Sequence, residues 1–236
     1  MAGRALATAP RADVVTFAGS TAVGRRAISY AAASNLERTW LELGGKSPNV
    51  VFPDTDVERA GGTAAWSASY IQGEMCSAGS RLLVHESVHD DAVRAVLATA
   101  AATVPGGSYL LATVFDRVEP DQAIAREKVF GPVLAVTTFR DEEEAVRLAS
   151  GTRYGLAAGA WTNDLGKAHR VSRAMRAGVV WVNCYEEGDL SVPFGGVNES
   201  GHGSDRSLRA LDRFLDAKTT WMRLAQQRGR VGRPQT

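Results

Sequence analysis

The sequence predicts an α/β protein with a mostly parallel sheet flanked by helices, and three observations carry that reading. Short β-rich runs alternate with segments of helical spacing along most of the chain. The first such pair is joined by a glycine turn, "VVTF" passing through "AGSTAVG" into "RRAISYAAAS". At 236 residues and 44% hydrophobic, the chain is long enough to bury one large core or two modest ones.

Taken in order, Val14–Phe17 is a strand, the alanine-rich stretch after the glycine turn is a helix, and "TWLELGG" is a second strand closing on two glycines. "SPNVVF" follows as a third strand. Residues 54–72 carry helical spacing, with Val57, Ala60, Ala64, Trp66 and Tyr70 available for a buried face. Downstream, "RLLVH", "YLLATVF", "VFGPVLAVTTF", "GLAAGAWT" and "GVVWVN" read as strands, and "DAVRAVLATAAA", "DEEEAVRLAS" and "DLGKAHRVSRAMRA" as helices. Residues 204–215 predict a further helix, "TTWMRL" a last strand, and the polar, arginine-rich final dozen residues a frayed end. There is no internal repeat and no low-complexity linker.

Charge and composition narrow the function classes. Twenty-seven basic and 26 acidic residues give a net charge of +1 with no long block of one sign, which is not the footprint of a nucleic-acid binder; the short basic tail of Arg228, Arg230 and Arg233 reads as a solvated end. No run of apolar residues is long enough to span a membrane and the first residues do not read as a signal peptide, so a cytoplasmic protein is expected. Two cysteines do not make a disulfide framework; free thiols are expected.

Four motifs could carry chemistry. The turn "GSTAVG" places Gly19, Ser20 and Gly24 between strand and helix, where free N–H groups and the helix dipole can receive a phosphate; glycine there is equally explained by the steric needs of a tight turn. In "LELGGK", Glu42 ends a strand among leucines, either as an exposed edge residue or as a desolvated base. In "GEMCSAGSR", Cys76 is either a small core hydrophobe or a nucleophile, with glycines 73 and 79 and serines 77 and 80 giving access and N–H donors. Cys184, inside "VVWVNCY", is better explained by packing. "HESVH", His85 to His89, spells a zinc-binding pattern that needs both imidazoles on one helix face. Here His85 ends a strand, and Ser87 with Asp90 predicts a capping box that starts the helix between the two histidines, so no metal site is expected.

Taken together in order, "FAGSTAVGR", "LELGGKSPNVVF", "GEMCSAGSR", "EKVFGPV", "YGLAAGAWT", "AGVVWVN" and "PFGGVNESGHG" resemble the aldehyde dehydrogenase superfamily from about Gly3 to Leu224. "VWVNCYEEGDLSVPFGG" and "SLRALDRFLDAKTTWMRL" are most similar to members acting on γ-glutamyl-γ-aminobutyraldehyde and related amino-aldehydes. The resemblance implies that Cys76 is the nucleophile, forming a thiohemiacetal and then a thioester with the aldehyde, and that Glu42 is the base activating water to hydrolyse it. It implies NAD or NADP as cofactor, with Gly19 and Ser20 at the pyrophosphate, Gly24 and Leu43 completing that side, and Phe130 near the nicotinamide ribose. Phe194 would wall the aldehyde tunnel, and the strand resembling "TTWMRL" implies a homo-oligomer; left unpaired, that strand would be an aggregation hazard. The implied organisation is a remnant of the NAD(P)-binding domain over residues 1–43, a catalytic domain over 44–218 shortened near 103–107, and a C-terminal strand and tail over 219–236.

The chain also departs from the family pattern. The resemblance implies an N-terminally truncated member, lacking much of the nucleotide-binding sheet, a lysine for the adenosine ribose and the asparagine that completes the oxyanion hole. Losing one such donor costs about 2.7–4 kcal/mol, roughly 100- to 1000-fold in rate. Lys128 stands where the family has a glutamate for the ribose hydroxyls, and an ammonium can only donate. Glu74 replaces a glutamine beside the cysteine loop, where its charge works against a thiolate. Ala18 replaces a threonine and Ser204 an arginine. Three readings follow: an NAD(P)+-dependent aldehyde oxidation, perhaps with a partner chain supplying the missing segment; a truncated inactive homologue serving as a binding or subunit-interaction module; and a residual esterase needing only Cys76 and Glu42.

Overall fold

Two parallel sheets organise the residues that the structure, a computed structural model, describes: 2–100 and 110–223. After a short helix, α1 (Ala2–Ala7), strand β1 (Val14–Gly19) runs into α2 (Thr21–Ala32) and returns as β2 (Arg38–Leu43). The strands pair in parallel from Val14 opposite Arg38 to Gly19 opposite Leu43. Ser20 caps α2, its side chain accepting from the Val23 N–H, as a serine at a helix start is suited to do. The face that α2 buries is small, Gly24, Ala27 and Ala31, and Ala27 packs with Leu41, Leu43 and Phe17.

The second sheet has six strands in the order β5-β6-β4-β3-β7-β8, every neighbouring pair parallel. They are β3 (Pro48–Val51), β4 (Arg81–His85), β5 (Thr113–Phe115), β6 (Val133–Phe139), β7 (Ala157–Trp161) and β8 (Val179–Val182). The helices are α3 (Val57–Ser69), α4 (His89–Ala100), α5 (Ala123–Arg126), α6 (Glu142–Ala149) and α7 (Leu165–Ala174). Successive strand residues point to opposite faces: Val51, Leu82, Val84 and Val136 pack with α3 and α4, whereas Val50, Leu83, Phe139 and Ala160 pack with α6 and α7. Coverage on both faces is why these strands carry buried apolar residues on both sides. Asp56, Asp141 and Asp164 cap α3, α6 and α7, each accepting from a backbone N–H at 2.8–3.0 Å.

The expected α/β architecture with a mostly parallel sheet is the one observed, with five local corrections. Trp66 and Tyr70 are not on the buried face of α3; they stack on each other 5.0 Å apart at the surface. α3 instead packs on α4 through small residues, so closely that a Cβ on Gly61 would lie 2.8 Å from the Ala92 carbonyl oxygen. The helix expected over 204–215 is only a 3-10 segment, Leu208–Phe214, because its apolar side chains are exposed and no packing supports an α-helix. Residues 219–223 of "TTWMRL" form no strand: Trp221 is 93% exposed, and no described strand lies beside it to pair. In the described part of "YLLATVF", residues 110–115, the strand is Thr113–Phe115, with Leu110 and Leu111 exposed ahead of it. His85, not Ser87, caps the turn before α4, its ring nitrogen accepting from the Ser87 N–H. The shortening expected near 103–107 and the tail beyond Arg223 lie outside the described residues. No helix among the described residues is long and apolar enough to cross a membrane.

Candidate active site

The ends of β1 and β2 and the start of α2 meet the loops of the larger sheet at a cavity of about 620 Å³. Gly19, Ser20, Glu42, Leu43, Cys76, Phe130 and Phe194, seven of the residues singled out from sequence, line it. Gly24 does not. It is buried one turn into α2, where a Cβ would lie 2.8 Å from the Leu43 side chain, so its role is to let the helix pack on β2.

Glu42 sits at the end of β2, its backbone bridged to Gly201. The chain from 195 to 205 walls its carboxylate: a Cβ on Gly203 would lie 2.7 Å from Oε1, and one on Gly195 3.1 Å. Oε1 is buried without a hydrogen-bond partner among the described residues. Burial, reinforced by the negative charge of Asp205 and opposed by Arg213, pushes the carboxyl up to about 7. Asp205 is held by backbone bonds in both directions with Phe194, at 2.8 and 2.6 Å, and by an ion pair to Arg213 at 2.7 Å.

Cys76 is exposed, on a loop fixed from behind. Its carbonyl accepts from the Gly45 N–H at 3.0 Å and from Lys128 Nζ at 3.1 Å. Lys128 also donates to the carbonyls of Met75 at 2.8 Å and Gly45 at 3.2 Å, and burial brings its ammonium down to about 8. Ahead of the cysteine, Gly73 has φ +70° and so little room that a Cβ would overlap the Gly131 carbonyl. Phe130 beside it holds φ 60°, a costly conformation for an aromatic residue, with its ring 5.5 Å from Lys128 Nζ. Cys184 is half-buried against Trp181 and Tyr185, and burial raises its thiol.

The histidines of "HESVH" go to different partners. His85 contacts Ser87 Oγ and the Arg140 carbonyl, while His89 is buried between Asp90 and Asp116. Sequence reasoning missed Arg153, Tyr154 and Asp205 at the cavity, and Arg213 behind Asp205. No local signal marks them, since each arrives through the tertiary fold from a segment far from Glu42 and Cys76.

The model of the aldehyde dehydrogenase family matches residues 1–108 and 101–220. The chain belongs to the aldehyde dehydrogenase family. It is 39% identical to the NADP/NAD-dependent aldehyde dehydrogenase PuuC of Escherichia coli K12, over 94% of this chain and 54% of that protein. Among solved structures, γ-glutamyl-γ-aminobutyraldehyde dehydrogenase from Burkholderia cenocepacia is 46% identical with a TM-score of 0.87, over 89% of this chain and 52% of that one. A variant of the indole-3-acetaldehyde dehydrogenase AldA of P. syringae, solved with NAD+, is 40% identical with a TM-score of 0.87, covering 94% and 55%. The chain thus spans about half the length of the relatives it matches.

Proposed function

We propose that this aldehyde dehydrogenase family member oxidises an aldehyde to a carboxylic acid, with Cys76 as nucleophile and Glu42 as base. The observation that carries the reading is that an exposed thiol and a carboxyl pushed up to about 7 line one cavity with the start of a helix. The Cys76 sulfur adds to the carbonyl carbon to give a thiohemiacetal. Bound NAD(P)+ would supply the two-electron acceptor that takes the thiohemiacetal to a thioester, and Glu42, basic near neutral pH, would take the proton from the water that opens it. An amino-aldehyde as substrate is supported by the 46% identity to the γ-glutamyl-γ-aminobutyraldehyde dehydrogenase of Burkholderia cenocepacia.

The residues fit the diphosphate end of NAD(P)+: Gly19, Ser20, Thr21 and Ala22 line the cavity at a helix start, where N–H groups lack intrahelical partners. Lys128 spends its three donors on the carbonyls of Gly45, Met75 and Cys76 and has no acceptor for sugar hydroxyls, which weakens the other end. The separate two-stranded sheet supports reading residues 1–43 as part of a nucleotide-binding domain beside a catalytic unit over 44–218.

A second reading, a subunit-interaction module, is favoured by the exposed apolar side chains of Leu208, Leu211, Phe214, Leu215, Trp221 and Met222. One experiment separates the two: NADH absorbance with an amino-aldehyde, beside calorimetric titration of NAD+. Turnover lost in Cys76→Ala supports the enzyme; no nucleotide heat at millimolar concentration and no turnover leave the module.

A further inference from the structure

Behind the Cys76 loop, two cations are buried with no carboxylate paired to either among the described residues. Lys46, just ahead of β3, is 1% exposed, and its Nζ has no hydrogen-bond partner among the described residues. Arg81, the first residue of β4, is 5% exposed and spends three donors on carbonyls: Nε on Lys46 at 2.8 Å, Nη1 on Leu148 at 2.8 Å and Nη2 on Ala149 at 2.7 Å. Both line a small second cavity of about 10 Å³, enough for one water-sized species. Ser47 and a third cation, Arg176, line it as well, and no Asp or Glu does.

A buried ammonium beside a buried guanidinium is costly unless something compensates it. Burial, the larger effect, together with the repulsion of Arg81 and Lys128, brings the Lys46 amine down to about 8. A water molecule in the cavity would satisfy hydrogen bonds but leave the charge. A monatomic anion does both, and an ammonium, the remaining guanidinium donors and a serine hydroxyl are all able to donate to it.

We infer that this cavity binds one small inorganic anion of the charge and size of chloride, between Lys46 and Arg81. The anion joins the segment leading into β3 to β4 and, through Arg81, to the end of α6, and so braces the strand ends behind Cys76. This binding is independent of whether the protein turns over aldehydes, and its test does not use activity.

The test is the melting temperature of the full chain in sodium chloride against sodium gluconate at equal ionic strength, with the chlorine-35 NMR linewidth as a direct readout. A saturable rise in chloride alone is expected, roughly 3 to 5 °C for each tenfold increase above the dissociation constant, with line broadening reversed by bromide. Lys46→Met should lose both responses and melt in gluconate at or above the wild-type temperature, since it removes an uncompensated charge while keeping the volume. Equal melting in the two salts without bromide-reversible broadening, a comparison the wild-type protein supplies alone, would mean that the cavity holds water only and would overturn the inference.

Discussion

Lys128 Nζ lies 3.1 Å from the carbonyl oxygen of Cys76, and the same ammonium holds the carbonyls of Met75 and Gly45. Lys128 thus acts as a clasp, closing the Cys76 loop onto the segment between β2 and β3. The clasp thereby fixes the backbone on which the thiol is presented.

Removing it should be felt in both respects. Lys128→Met is expected to lower stability by about 1–3 kcal/mol, because three carbonyls lose a charged donor. It should also change the rate at which iodoacetamide alkylates Cys76, because the loop that presents the thiol loses its anchor. Urea unfolding and mass-spectrometric alkylation rates check this; an unchanged rate would show that the presentation of the thiol does not depend on the clasp.

Glu42 makes opposite demands on stability and on chemistry. Its folded pKa of about 7 lies above the ordinary 4.5, so the folded chain holds a proton there that the unfolded chain releases, and stability falls as pH rises from about 4.5 to 7. Glu42→Gln should therefore stabilise the protein at pH 8 relative to pH 5, on the order of 1 kcal/mol once solvent screening of this half-buried group is allowed for. The same substitution should abolish the rise through about pH 7 in p-nitrophenyl ester hydrolysis, measured without nucleotide, if Glu42 activates water. Stopped assays across pH 5–9 read the second effect and thermal melts the first.

The reason Glu42 behaves this way marks the limit of what the sequence displays. The strands, the aspartate caps at 56, 141 and 164 and the alternation of Val50 and Val51 between two helical layers follow from local pattern, because period and propensity act over a few residues. "LELGGK" marks Glu42 as a candidate but leaves open whether it is exposed. The answer lies in Gly195, Gly203 and Asp205, more than 150 positions later, which wall the carboxylate. Trp66 and Tyr70 fail for a related reason: helical spacing admits them to the buried face, but the glycine and alanines of α3 let α4 approach too closely for large side chains. Nothing local in "TTWMRL" says whether a neighbouring strand is present to pair with it.

His89 should give the fold a second pH dependence. Its Nδ1 lies 2.8 Å from Asp90 and its Nε2 2.7 Å from Asp116, both carboxylate acceptors, so the ring donates twice as an imidazolium. Burial opposes that charge, but the two hydrogen bonds outweigh it and the pKa is raised from 6.5. A raised histidine contributes stability that is complete below about 6.5 and is lost as pH climbs through the folded value. Asp116→Asn should destabilise the protein by about 1 kcal/mol at pH 6 and by much less at pH 8.5, read from urea midpoints; equal losses at both would mean that the clamp is not ionic.

Gly73 tests whether the backbone around the cysteine loop is as constrained as it looks. Its φ of +70° disfavours any side chain, and a Cβ there would run into the Gly131 carbonyl next to the strained Phe130. The two effects compound, because relieving the overlap moves either the turn that presents Cys76 or the loop that carries Phe130 and Lys128. Gly73→Ala should therefore cost about 2–4 kcal/mol and change the alkylation rate of Cys76. Gly62→Ala, in α3 with its nearest neighbour 3.2 Å away at Thr99 Oγ1, is the matched control, and helix propensity should make it neutral or mildly stabilising. If both variants melt alike and Cys76 reacts at one rate in each, the turn is free to rearrange and the presentation of the thiol does not depend on it.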